Sequence, residues 1–271
     1  PSGAPSPVVL AAAAIAGATR VFAVGGAQAI AALAFGTASV PKVDRIVGPG
    51  NAYVAQAKRE IAGFVGIDAP AGPSEILILA DRHARAETVV RELLAQAEHD
   101  PEASVVAVVE GPELAEQTTA LLAEAEPARR EIVARALSSR GAVLWVSELK
   151  MALPFARDYA AEHLLVATRD PTSWLGELRH AGTVFLGEAA SVAFGDYLTG
   201  ANHVLPTAGL ARSFSGLSSN DFVRWTTWQR VTPEAARRMR DDTARLAEAE
   251  GLPAHAAAAR DAGRPGSEGE E

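Results

Sequence analysis

The sequence predicts an α/β fold built on parallel sheets. Two observations carry that expectation. From Arg85 to Leu186, short apolar runs alternate with helical patterns. Ahead of them, two strand–turn–helix units follow each other within about thirty residues, with Gly25-Gly26 and Gly48-Pro49-Gly50-Asn51 at their turns. Such units favour an open parallel sheet with a ligand at the carboxyl ends of its strands.

In chain order, Pro7 to Ala18 reads as a short helix and Arg20 to Val24 as a buried strand ending at the Gly pair. Ala27 to Phe35 is a helix of strong formers. A helix N-terminus after a Gly pair suits an anion, although a plain tight turn fits as well. Asp44 to Val47 is the next strand and Tyr53 to Ile61 the next helix. At the intervening turn Gly50 lets a ligand approach, and Asn51 can hydrogen-bond a ribose or a base edge. Residues 68–75 hold two prolines and a glycine, which forbid helix and make a stiff crossover between two domains.

Beyond the crossover come strand Ile76–Ala80, a helix from Arg85 to His99, strand Val105–Val109, helices Pro112–Ala125 and Arg129–Ser138, and strand Val143–Val146. Helix Leu149–Ala160, strand Leu164–Ala167, helix Trp174–His180 and strand Thr183–Leu186 continue the alternation. The grammar then changes. Residues 193–206 are dense in small and polar types, and long irregular stretches of that kind are usually functional. Ser213 to Asn220 is a further polar loop. Thr232-Pro233-Glu234 starts a helix, with Thr as N-cap and Pro in the first turn. That helix runs to Glu250, a second begins after Pro253, and the Gly- and Glu-rich tail Arg264–Glu271 is expected to be disordered.

Composition narrows the function. The chain has 271 residues, is 48% hydrophobic and 21% charged, and carries a formal charge of -8. That charge argues against nucleic acid or an anionic membrane as partner. No apolar stretch is long enough to span a bilayer, the longest being Val8 to Ala18. Cysteine is absent, so disulfides, thiolate metal sites and cysteine nucleophiles are excluded. Any metal must use imidazole, carboxylate or amide donors. A cytoplasmic enzyme fits best.

Within that frame a few residues carry chemistry. Gln96 and His99 are three apart at a helix end and can aim an amide oxygen and an imidazole nitrogen at one point. Zinc accepts both donor types. Read alone, a polar helix end with His99 favouring the C-terminal dipole is the commoner arrangement. Glu162-His163 stands beside a strand start and offers two proton acceptors of different pKa, or a surface pair. Asp196 and His203 are candidate ligands in the irregular stretch. Ser74, at the mouth of the crossover, can contact substrate or serve as a turn serine. His83, in a loop, and His180, at a helix end, read as structural.

Taken together, Val24-Gly25-Gly26-Ala27-Gln28 through Gly36-Thr37, Val47-Gly48-Pro49-Gly50-Asn51, Pro70-Ala71-Gly72-Pro73-Ser74-Glu75, Gln96-Ala97-Glu98-His99, Glu162-His163-Leu164, and Gly195-Asp196 through Asn202-His203-Val204-Leu205-Pro206-Thr207 resemble the histidinol dehydrogenase family. The likeness runs from Val8 to about Ala262. It implies oxidation of L-histidinol to L-histidine through L-histidinaldehyde, the last steps of histidine biosynthesis, with two hydride transfers to NAD. It further implies one zinc per subunit on Gln96, His99, Asp196 and His255, and a Glu162–His163 proton-transfer pair. His163 then takes the alcohol proton, and Glu162 activates the water that attacks the aldehyde. Ser74, Glu250 and the four metal-ligand positions, with His163, match substrate contacts, and Gln28 and Asn51 match NAD contacts.

The same likeness implies two incomplete Rossmann-like domains with parallel sheets flanked by helices, plus small C-terminal helical extensions. Residues 1–74 correspond to the NAD-side domain, 75–217 to the later part of the catalytic, zinc-bearing domain, and 218–271 to the extensions. In the family these exchange across a homodimer, so Glu250 and His255 serve the partner's site. The family's N-terminal third has no counterpart in this chain, and the chain does not open on Met. Two other readings stand beside the enzyme. One is a truncated, catalytically incompetent fragment that keeps the zinc and dimer elements. The other is a metal- or nucleotide-binding module, which has no need of a Glu162–His163 pair.

Overall fold

A computed structural model describes residues 5–264. The expectation of a disordered tail falls almost entirely on residues 265–271, which lie outside the described residues. The chain divides into two compact units, Pro1–Phe222 and Val223–Glu271.

The first unit holds two parallel sheets. Its main sheet has five strands: β3 (Glu75–Ala80), β4 (Ser104–Glu110), β5 (Gly141–Val146), β6 (His163–Ala167) and β7 (Thr183–Leu186). They lie in the order β5-β4-β3-β6-β7. The central strands read as unbroken apolar runs because both of their faces are covered. Alternate residues supply the two faces. Ile76, Ile78, Val105, Ala107 and Leu165 pack under α4 (Ala86–Ala97), α5 (Pro112–Glu124) and α6 (Arg130–Arg140), through Val89, Leu93, Leu114 and Val133. Leu77, Leu79, Val106, Val108, Leu164 and Val166 pack on the other face against Leu149, Ala152 and Ala156, which belong to a 3₁₀ turn and α7 (Leu153–Tyr159). Each fully buried Leu or Ile side chain contributes about 1.5–3 kcal/mol.

The second sheet is a pair of two-residue strands, β1 (Arg45–Ile46) and β2 (Gly66–Ile67). After α1 (Pro7–Ile15), which buries none of its residues, two helices, α2 (Gly26–Phe35) and α3 (Ala52–Ile61), close over it on a small core of Ile30, Ala34, Ile46, Ile61 and Val65. The buried ammonium of Lys58 pairs with the carboxylate of Asp68 below this core. Between them they hold one residue by both of its peptide groups. The Asp68 carboxylate accepts the Gly48 N–H at 2.7 Å, and Lys58 donates to the Gly48 carbonyl at 3.0 Å. The turn that begins at Gly48 is thereby fixed from two sides.

Three expectations are corrected. Arg20–Val24 forms no strand: Val21 and Val24 are 54% and 48% exposed, and no strand among the described residues pairs with the segment. An apolar run becomes a strand only by ladder pairing, and here none is present. Trp174–His180 is not a helix but a 3₁₀ turn at Pro171–Trp174 followed by turns. Gly176 weakens a helix there, and burial of Leu178 holds the segment against the sheet instead. Finally, residues 193–206 are not irregular throughout, since α8 (Val192–Tyr197) occupies their start.

The second unit is a helical pair, α9 (Pro233–Ala249) and α10 (Pro253–Asp261). Thr232 caps α9 as expected, its hydroxyl accepting the Ala235 N–H at 3.3 Å. Gly251, at φ 73°, turns the chain between the helices, and Ala244, Ala247 and Ala256 form their contact.

Candidate active site at the amino edge of the main sheet

The sequence favoured a ligand at the carboxyl ends of strands. The cleft that gathers the candidate residues lies instead at the amino edge of the main sheet. β3 and β6 are neighbours that begin with polar residues, Glu75 and His163, with Ile76 opposite His163 in the register. Above them stand the Pro- and Gly-rich crossover and residues 202–208. Gly72 donates its N–H to the Thr207 hydroxyl at 2.5 Å, and Ala208 donates to the Glu75 carboxylate at 2.9 Å. These bonds wall a cleft of about 390 Å³ lined by Ser74, Gln96, His99, Glu162, His163 and Asp196, with His203 beside them. Pro49, from the carboxyl turn of β1, closes another side.

One residue's backbone sets the Glu162–His163 pair. The Glu75 N–H donates to Glu162 Oε2 at 2.9 Å, and the Glu75 carbonyl lies 3.2 Å from His163 Nδ1. A carbonyl can only accept, so Nδ1 carries the proton and Nε2 keeps its lone pair. Nε2 faces the Asp196 carboxylate at 3.8 Å. Burial pushes the His163 pKa down, against the opposing pull of Asp196 and the Glu75 carbonyl, so the ring is neutral at pH 7. Burial also pushes Glu162 up to about 8; the Glu75 N–H opposes this, and the Glu75 and Asp196 carboxylates add to it. The pair thus rests as a neutral imidazole beside a protonated carboxyl.

The Glu162 shift has a consequence for stability. Its folded pKa of about 8 lies above the ordinary 4.5, so the folded state binds the proton more tightly. The stability that this contributes is complete below about pH 4.5 and is lost as pH rises through about 8. Denaturant unfolding between pH 5 and 8 is expected to show a decline from this group of up to about 1.4 kcal/mol per pH unit. Glu162→Gln is expected to flatten that slope, and an unchanged slope in the variant would refute the assignment.

Gln96 and His99 do not share a helix as expected. α4 ends at Ala97, Gln96 is in its last turn and only 2% exposed, and His99 follows in a turn whose N–H reaches the Gln96 carbonyl at 3.3 Å. Both still face the cleft. Asp196 comes from α8, which is positioned by a residue that the sequence reading passed over. Buried Glu92, one turn before Gln96 on α4, accepts the Val192 N–H at 3.0 Å and so fixes the first turn of α8. The spacing Glu92, Gln96, His99 (i, i+4, i+7) was the available signal. Gly195 is needed beside Asp196, because a Cβ there would stand 2.6 Å from Phe185 Cζ. The Phe185 ring in turn packs 5.9 Å from the His163 ring. Glu75, the backbone clamp, was likewise not singled out.

His99 Nε2 and Asp196 Oδ2 are 4.0 Å apart. Two donors on one tetrahedral zinc stand about 3.4 Å apart, so a small side-chain rotation brings them to that spacing. With the Gln96 amide, the donors are nitrogen and oxygen types that suit zinc or manganese. Among the described residues, no three or more His, Cys, Asp or Glu stand together as a complete metal cluster. The amide of Gln96 falls outside that count, and His255 belongs to the second unit. His255 and Glu250 are both exposed. Gln28 and Asn51 are also exposed and do not line the cleft. Asn51 caps α3, its Oδ1 accepting the Val54 N–H at 3.1 Å, which leaves its amide NH₂ for a ligand.

A family model described as histidinol dehydrogenase matches residues 1–261. Among curated relatives, the histidinol dehydrogenase of Methanothermobacter thermautotrophicus is 46% identical over 250 residues, 92% of this chain and 59% of the relative. That of Haloarcula marismortui is 50% identical over 258 residues, 94% of this chain and 61% of the relative. The crystal structure of histidinol dehydrogenase from Elizabethkingia anophelis superposes with a TM-score of 0.86 at 37% identity, over 94% of this chain and 59% of that one. The chain therefore spans about three fifths of the length of the relatives it matches.

Proposed function

The chain belongs to the histidinol dehydrogenase family, and we propose that its cleft carries that family's reaction, the NAD-dependent oxidation of L-histidinol to L-histidine through L-histidinaldehyde. The observation that carries the proposal is the His163 ring: it is held by the Glu75 carbonyl, and its Nε2 lone pair faces a cleft shared with Gln96, His99 and Asp196.

In the first half-reaction the substrate alcohol gives a hydride to NAD⁺ and a proton to His163 Nε2, leaving the aldehyde, NADH and imidazolium. In the second, a water adds to the aldehyde carbon and yields its proton to the Glu162 carboxylate. The hydrate then gives a second hydride to a second NAD⁺ and leaves as the acid. Since Glu162 holds a proton up to about pH 8, the hydration half is expected to speed up as pH rises towards that value.

Zinc held by Gln96, His99, Asp196 and His255 would fix the imidazole and amine of the substrate through both oxidations. The donor chemistry described above supports Gln96, His99 and Asp196, while His255 rests on the family likeness. Ser74 lines the cleft at the head of β3 and suits a substrate contact, as does Glu250, which is exposed on the helical unit. The turn at Gly48–Asn51 and the start of α2 at Gln28 suit NAD. Exposure of Glu250 and His255 on a separately compact unit supports a homodimer in which each tail serves the partner's cleft. On this reading residues 1–74 form the NAD side, 75–217 the catalytic side and 218–271 the exchanged extension. No helix among the described residues is long and apolar enough to cross a membrane.

The test is product stoichiometry. Zinc-loaded protein is expected to form two NADH for each L-histidinol consumed and to stop when the metal is chelated. Zinc-loaded, dimeric protein that forms no NADH from L-histidinol would overturn the proposal.

A further inference from the structure

The opposite edge of the main sheet carries a second cleft. From β3 the chain passes outward through α4 to β4, on one face of the sheet. From β6 it passes to β7 through residues 171–180, on the other face. β3 and β6 are hydrogen-bonded neighbours, so their onward connections diverge at the carboxyl edge. In open parallel sheets that divergence opens a crevice in which ligands bind. Here it holds a cleft of about 640 Å³, within the range of small-molecule sites. β3 has six residues, so the two clefts lie about 20 Å apart along it.

The lips of this cleft are fixed. Asp81, directly after β3, accepts the backbone N–H of His83 at 2.9 Å and of Arg169 at 2.7 Å, tying the end of β3 to the end of β6. Arg169 then reaches His83 Nδ1 at 3.4 Å and, among the described residues, pairs with no carboxylate. Lys150 has no carboxylate partner there either, and neither Glu148 nor Asp170 has a cationic one. Thr168 Oγ1, between the strand end and Arg169, is buried without a hydrogen-bond partner. Half-buried Trp174 packs against the apolar cluster of this face and lines the cleft.

Arg169 and Lys150 are exposed and in no ion pair among the described residues, so both are available to an anion. Glu148 and Asp170 are likewise available to hydroxyl donors and would repel an inorganic anion that came alone. The Trp174 ring supplies a flat apolar wall. We infer that this crevice is a nucleoside monophosphate site. The phosphate lies on Arg169 and Lys150, the ribose hydroxyls on Glu148 and Asp170, and the base against Trp174. The site is separate from the amino-edge cleft and does not rest on the function proposed for it.

Titration calorimetry of the full chain with AMP, adenosine and inorganic phosphate tests this directly. AMP is expected to bind saturably, one per chain, and more tightly than either part alone. Arg169→Ala and Lys150→Ala, both at exposed positions that leave the core intact, are expected to weaken AMP by about tenfold or more each. Trp174→Ala is expected to weaken AMP and adenosine but not phosphate, whereas Asn51→Ala, at the turn proposed for NAD, is expected to leave the Arg169-dependent AMP binding in place. Amide chemical shifts at 81–83 and 168–174 report occupancy even if the Trp174 variant is destabilised. Absence of saturation at millimolar AMP overturns the inference. So does equal affinity for phosphate and AMP, or AMP binding that Asn51→Ala removes and Arg169→Ala leaves intact.

Discussion

Replacing His163 with asparagine is expected to lower kcat for L-histidinol oxidation by about 10²–10⁴-fold, the range for a positioned general base. Asparagine preserves much of what the ring does structurally. Its amide N–H can still donate to the Glu75 carbonyl, which now holds Nδ1 at 3.2 Å. Its size leaves Phe185, the ring neighbour at 5.9 Å, largely in place. What it lacks is the basic nitrogen that Nε2 presents opposite Asp196. The loss is therefore expected in kcat, with KM for L-histidinol little changed, because His163 is not among the proposed metal donors. Steady-state kinetics at several pH values checks this. A fall of less than about tenfold, or a loss confined to KM, would show that another group takes the alcohol proton.

Asp68→Asn is expected to cost about 3–5 kcal/mol of stability, because it leaves the Lys58 ammonium buried without a counter-charge. Lys58 is only 2% exposed, and its other partner is the Gly48 carbonyl. The double change Lys58→Met, Asp68→Leu removes both charges together and is expected to recover much of the loss. Urea unfolding of the three proteins measures the difference. The same pair ties the chemistry to the fold. Gly48 is clamped through both its N–H and its carbonyl, and Pro49, one residue on, lines the amino-edge cleft. Hydrogen exchange is expected to accelerate at β1 and α3 in the single variant, and KM for NAD to rise. A single variant as stable as the parent would mean that water reaches Lys58 and that the turn is held by other means.

The sequence was most legible where structure is local or where burial is complete. Ile76–Ala80, Val105–Val109 and Leu164–Ala167 read as strands because a two-sided core needs apolar residues at every position, and the folded strands extend these runs only by polar end residues. Thr232 and Pro233 announced α9 because a cap and its helix are adjacent in sequence. Features set from a distance were not legible. β1 lies within the expected strand Asp44–Val47, but its partner β2 was not foreseen, because their pairing joins segments about twenty residues apart. Arg20–Val24 has the composition of a strand but no ladder partner among the described residues. The start of α8 is held by Glu92, one hundred residues earlier, so residues 193–206 looked irregular from composition alone.

The site divides along the same line. Spacing gave Gln96 and His99 as a pair, and adjacency gave Glu162 and His163. Nothing local showed that Asp196 would face both pairs, at 4.0 Å from His99 and 3.8 Å from His163. That convergence, the tautomer set by the Glu75 carbonyl and the raised pKa of Glu162 all arise from burial and long-range contact. The family likeness supplied Asp196 and His255 before any geometry did. Glu75 and Glu92 hold the machinery without belonging to its chemistry; spacing marks the face of Glu92, but only the folded chain shows what either residue holds.

The division of labour within the cleft can be measured on three proteins side by side. After zinc loading and dialysis, metal content per chain is expected to be near one for the parent and near one for His163→Asn, but close to zero for His99→Ala. Retention by His163→Asn together with its loss of turnover would place proton transfer on His163 and metal holding on His99. Equal metal loss in both variants, or full retention in His99→Ala, would contradict that assignment.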